Sequence, residues 1–122
     1  MTTSNDGHTH YVTAIEDLED GDRAVLEVRG RELAVFNVDG EFYAIGSHCP
    51  HMGGPCSEGL LTGLFSYDAE GDLEYERDGE IISCPWHGWE FDVKTGDHLG
   101  GTKRRLPTYD VQIKDGDIYV KV

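Results

Sequence analysis

The 122-residue chain contains no apolar run near the roughly 18 residues that a membrane-crossing helix needs. Nor does any window hold a sustained 3.6-residue apolar period with capping residues, so no helical bundle is expected. Cations are scarce. Lys and Arg number 10 against 24 Asp and Glu, a formal charge of −14, and only Lys94, Lys103, Lys114 and Lys121 are lysines. A field of that sign repels nucleic acid and anionic membranes and suits a basic protein partner. The same lysine-poor balance is the bias of proteins that work in high salt, where a Debye length of about 3 Å at 1 M screens self-repulsion. Cysteine is sparse too, and three residues cannot all pair within the chain. Residues 1–7 have neither a basic nor an apolar segment, so no export signal is expected. Reduced thiols or metal ligation in the cytoplasm is the reading that follows. The length suits one domain and leaves no room for a separate catalytic one.

What is present in excess is glycine, 16 residues, which announces many turns. Short β-rich runs occupy 24–28, 33–38, 41–45, 109–113 and 117–122. They are separated by 29–32, by Asp39-Gly40 and by Asp115-Gly116; Asp-Gly between apolar runs is a strong hairpin signal. A further hairpin is expected where 65–67 and 73–75 flank an acidic turn with Gly71 in it. The reading is all-β. His8 and His10 are taken as a loose terminus (1–9) leading into a first strand, rather than as a metal tract.

Two places concentrate Gly, Pro, Cys and His. Cys49 and His51 form a C-x-H pair, and Cys84 and His87 form a C-x-x-H pair. Each lies in a Gly- and Pro-rich loop that can curl back to offer two side chains to one centre. Pro50 and Pro85 fix φ and remove a backbone donor between the paired ligands, which stiffens both loops. Two thiolates and two imidazoles suit either one tetrahedral zinc or a two-iron cluster.

Cys49-Pro50-His51 with Gly53, and Cys84-Pro85-Trp86-His87-Gly88-Trp89-Glu90-Phe91-Asp92, resemble the boxes of the Rieske [2Fe–2S] proteins. Glu58-Gly59, residues 92–96 and residues 106–111 extend the resemblance to the ferredoxin branch, covering the chain from about Tyr11 onward. The resemblance implies an antiparallel β-sandwich base (10–46 and 90–122) and a small inserted cluster-binding subdomain (47–89) carrying an acidic hairpin at about 64–80. It implies one [2Fe–2S] cluster, with Cys49 and Cys84 on one iron and His51 and His87 on the other. Two ferric ions, two sulfides and two thiolates sum to zero charge, so neutral imidazoles make reduction easier than four thiolates would. The family range is about −150 to +300 mV. The implied role is a one-electron carrier, not itself an enzyme, between a flavin-type reductase and a terminal oxygenase. The alternatives are a Rieske-like small subunit of a nitrite reductase, or a Cys2His2 module that uses zinc for folding. A redox-sensing domain is a third reading, in which Cys56 would matter.

The sequence departs from the family pattern in informative ways. Trp86 and Trp89 stand where respiratory-type members carry a disulfide cysteine and a sulfur-bonding serine, which places this chain in the low-potential class. Thirty-two residues separate His51 from Cys84, about twice the common spacing. The surplus is acidic, with a net charge of −6 between Asp68 and Glu80; it reads as a solvated loop or as a docking face for a basic protein. The loop 100–105 lacks a proline that often covers the cluster, so greater solvent access is expected; Lys103, Arg104 and Arg105 make it the one dense basic patch. Cys56 is read as a small buried hydrophobe, His48 as a surface residue and His98 as a loop residue. Trp86, Trp89 and Phe91 are read as packing for the cluster loops.

Overall fold

The computed structural model describes residues 9–48, 55–67, 69–85, 88–100 and 102–122, with backbone alone at 64–67 and 76–78. Turn chemistry fixes most of its local structure. β2 (Arg23–Val28), β3 (Arg31–Val38) and β4 (Glu41–Gly46) form a meander, and β8 (Thr108–Lys114) and β9 (Asp117–Lys121) form a hairpin. Their two-residue loops, Arg29-Gly30, Asp39-Gly40 and Asp115-Gly116, all hold both residues at positive φ, between 52° and 87°. That is the mirror-image turn whose twist matches the twist of the strands it joins, and a second-position glycine adopts it without steric cost.

β1 (Thr9–Ala14) pairs with β9 across a one-residue irregularity between Tyr11 and Thr13. The resulting six-stranded antiparallel sheet has the order β1-β9-β8-β4-β3-β2. β5 (Leu60–Tyr67), β6 (Leu73–Ser83) and β7 (Glu90–Asp92) form a second, three-stranded antiparallel sheet. The expected all-β fold is therefore observed, with short 3-10 turns at Ile15–Asp17 and Cys56–Glu58.

β3 lies between two cores. Because successive strand residues point to opposite faces, Leu33 and Val35 join Leu18, Ala44, Ile118 and Val120 on one side. Ala34, Phe36 and Val38 join Cys56, Ile82, Cys84, Phe91 and Leu106 on the other. The second core carries both described cysteines, so the strand that organises the large sheet also forms the wall behind the candidate site.

The acidic hairpin is longer than its turn signal suggested. β6 runs to Ser83 and delivers Cys84 directly. Its pairing with β5 jumps from Thr62–Ile81 to Leu64–Glu76, so residues 77–80 bulge out opposite Gly63 alone. The sequence surplus thus sits in two places, the distal turn and this bulge. Lys94 anchors the bulge to the base: its Nζ is 3.5 Å from Glu80 Oε1 and 5.7 Å from the centre of the Tyr43 ring.

Candidate metal centre

Cys84 is described and nearly buried, at 2% exposure; Cys49, His51 and His87 lie outside the described residues, as does Trp86. The structure does describe the stems from which both loops spring. In the first, the Ser47 N–H donates to Glu32 O (2.9 Å) and the Cys56 N–H to Ser47 O (2.7 Å). The Ser57 N–H donates to Ser47 Oγ at 2.9 Å, while the Ser57 hydroxyl donates to the Glu32 carboxylate. His48 and Pro55 face each other in an isolated bridge just above. One paired stem therefore joins Ser47 and His48 to Pro55, Cys56 and Ser57.

The second loop closes on itself. The Cys84 N–H donates to Trp89 O (2.7 Å), and the Gly88 N–H donates to Cys84 O (2.9 Å). Gly88 takes a positive φ of 71°, which lets the chain reverse within so few residues.

The two stems meet where Gly59 lies against Ser83. Gly59 follows the 3-10 turn Cys56–Glu58, and the Ser83 carbonyl oxygen occupies the space in which any larger residue would place its Cβ. Leu60 then pairs with Ser83 to start the β5–β6 ladder. This accounts physically for Glu58-Gly59 in the sequence pattern: only glycine allows the exit of the first loop to lie against the entry of the second.

The loop beyond β7 packs onto the second stem. His98 stacks on Trp89, with ring centres 4.1 Å apart and planes 11° off parallel, and lies 5.4 Å from the Phe91 ring. Its Nδ1 is 2.7 Å from Thr102 Oγ1, and Arg104 Cζ lies 5.9 Å from the Trp89 ring centre. His98 is thus a loop residue that does more than fill a loop. Trp89 and Phe91 behave as packing, Phe91 being wholly buried. The basic patch is engaged locally: Arg105 Nη2 donates to Thr95 O (2.7 Å), and its Nε lies 3.7 Å from Asp97 Oδ1. Cys56 is fully buried, and His48 is exposed.

One residue escaped the sequence reading altogether. Arg23, at the start of β2, donates through Nη1 to Ser57 O (2.9 Å) and Gly59 O (2.7 Å). Its guanidinium lies 5.3 Å from the Phe36 ring centre, and burial holds its pKa below the usual arginine value. A lone arginine opening an apolar strand carries no sequence signal for a contact 34 residues away.

A buried cysteine, Cys84, heads the second stem, and the first stem lies beside it. Residues 8–110 match the Rieske [2Fe-2S] domain model. The chain is 33% identical over 113 residues to the 3-phenylpropionate/cinnamic acid dioxygenase ferredoxin subunit of Photorhabdus laumondii, covering 92% of each chain. It is 30% identical over 109 residues to the ferredoxin component of the naphthalene 1,2-dioxygenase/salicylate 5-hydroxylase systems of a Ralstonia species, covering 88% of this chain and 89% of that one. Among solved structures it is similar to the ferredoxin of carbazole 1,9a-dioxygenase from Nocardioides aromaticivorans. The TM-score there is 0.72 at 25% identity, over 93% of this chain and 97% of that one. It is also similar, with a TM-score of 0.76 and 30% identity, to a chain in a complex of reduced oxygenase and oxidized ferredoxin in carbazole 1,9a-dioxygenase; 95% of this chain and 94% of that chain are covered. Fold and sequence agree, and the chain belongs to the Rieske [2Fe–2S] domain family.

Proposed function

We propose that this chain carries single electrons from a flavin-type reductase to a terminal oxygenase, with Cys49, His51, Cys84 and His87 as the ligands of its one [2Fe–2S] cluster. The donor set fits that group. Cys84 offers a thiol withdrawn from water, and two thiolates with two neutral imidazoles match the ligand chemistry of a Rieske centre. When bound, the cluster takes up one electron and returns it. The protein's own contribution is to hold the two loops together, exclude water from the thiolate side and limit the donors near the sulfurs. The observation that carries the reading is the contact of Gly59 with Ser83, which brings the stems of both cysteine-histidine boxes together.

The division into a base (10–46 and 90–122) and a cluster-binding subdomain (47–89) belongs to the same proposal. Its support is the separate three-stranded sheet that β5 and β6 form; β7, counted with the base, joins that sheet, and Ile82 and Cys84 share a core with Phe36 and Phe91 of the base. An oxygenase partner is supported by relatives named as dioxygenase ferredoxins and by the ferredoxin–oxygenase complex to which this fold is similar. A cytoplasmic site of action fits the thiol ligands; among the described residues no helix is long and apolar enough to cross a membrane.

Anaerobic purification followed by metal and sulfide analysis tests the reading. Two irons and two acid-labile sulfides per red-brown chain are expected. A colourless protein with one zinc and no sulfide would overturn it.

A further inference from the structure

We infer that Arg23, a residue of the base, is the positioning residue that sets the spacing between the two cluster loops. Its Nη1 donates to two carbonyls, Ser57 O at 2.9 Å and Gly59 O at 2.7 Å, at the C-terminal end of the 3-10 turn Cys56–Glu58. Carbonyls there have no partner within the turn and carry its negative end, so a cation is their natural complement. The guanidinium is seated over the fully buried Phe36 ring, 5.3 Å from its centre, which fixes where the donors point. Partial burial of the group strengthens its bonds to the two carbonyls, and its lowered pKa has the same cause.

What Arg23 grips is the segment that touches the other loop. Gly59 rests on the Ser83 carbonyl, and Ser83 is followed by Cys84 at the head of the second loop. A displacement of residues 57–59 therefore changes the separation of the two ligand loops directly. Glu32 holds the same turn from the neighbouring strand through the Ser57 hydroxyl, so the turn is tethered to β2 and β3 at once. Arg23 acts through Gly59 and Ser83, and no contact with the cluster is required of it.

The inference rests on the cluster reading, and its test separates the two. The holoprotein is prepared as wild type, Arg23→Lys, Arg23→Gln and Val35→Ala. Val35 is buried in the core on the far face of β3 and serves to lower global stability without touching the loops. Cluster loss under excess chelator is followed by visible absorbance, and the reduced proteins are compared by EPR g-values and midpoint potential. Arg23→Gln is expected to lose its cluster about tenfold faster, the factor corresponding to loss of roughly one charge-assisted hydrogen bond. Its g-values and potential should shift, with Arg23→Lys between it and wild type. Val35→Ala should lower the urea midpoint while leaving g-values and potential at wild-type values. Arg23 variants indistinguishable from wild type, or from Val35→Ala, would overturn the inference. If Arg23→Gln yields no soluble protein, Arg23→Lys carries the same comparison. A wild-type protein without iron and sulfide would overturn the cluster reading instead.

Discussion

Gly59 and Ser83 are in backbone contact, and the Ser83 carbonyl oxygen fills the space where a Cβ on Gly59 would lie. Gly59→Ala therefore must push apart the two stems or move the first residue pair of the β5–β6 ladder. Overpacking against backbone costs roughly 1–3 kcal/mol. The expected outcome is a lower urea midpoint together with less iron per chain, measured on the same preparation. A variant with wild-type stability and full iron content would show that the stems do not need this contact.

His98 stacks on Trp89 and holds Thr102 Oγ1 at 2.7 Å from its Nδ1. His98→Ala removes an aromatic contact worth about 0.5–1.5 kcal/mol beyond its buried area. Thr102→Val removes a hydrogen bond worth about 1 kcal/mol. The two share one ring, so their effects on chemical denaturation should be non-additive, and His98→Phe should restore the stack without the Thr102 bond. Additive losses would mean that the ring and the threonine act separately.

Alkaline stability has a specific contributor. The Tyr43 hydroxyl donates to Glu41 Oε2 at 2.8 Å. That bond, with burial and the nearby carboxylates of Glu41, Glu80 and Asp92, raises the tyrosine pKa above 10.0. A raised folded-state pKa means that the folded chain holds its proton more tightly than the unfolded one. The stability it gives is present in full below the unfolded value and is lost as pH rises through the folded value. Urea midpoints from pH 8 to 11 should fall more steeply for wild type than for Tyr43→Phe above about pH 10. Parallel curves would contradict this.

Two described backbone donors of the second loop are spent within it. The Cys84 N–H goes to Trp89 O and the Gly88 N–H goes to Cys84 O, which leaves neither for a cluster sulfur. Fewer hydrogen bonds to sulfur stabilise the added electron less. Potentiometric titration at pH 7 should give a midpoint below about +100 mV, in the lower part of the range for His-ligated clusters. A higher value would mean that other donors reach the sulfurs.

The hairpins could be read from the chain because each depends on neighbours in sequence: Asp39-Gly40 and Asp115-Gly116 specify their own turns. The ligand boxes rest on the same kind of local signal, the Cys-His spacings with Pro50 and Pro85, but Cys49, Pro50, His51 and His87 lie outside the described residues. The extent of β6 was not legible. Its residues 77–80 leave the ladder and its pairing resumes at Ile81, a matter of cross-strand partners that alternation does not encode. Arg23 and His98 were illegible as positioning and stacking residues for the same reason: their partners are 34 and 9 residues away and are set by the fold. Cys56 was legible because a small apolar side chain beside a loop has few other uses than burial.

The most direct test of the central claim is the nitrogen hyperfine spectrum of the dithionite-reduced protein labelled with 15N-histidine. Two imidazole nitrogens strongly coupled to the unpaired spin are predicted, with one lost in each of His51→Cys and His87→Cys. A reduced iron–sulfur signal with no strongly coupled nitrogen would contradict the account.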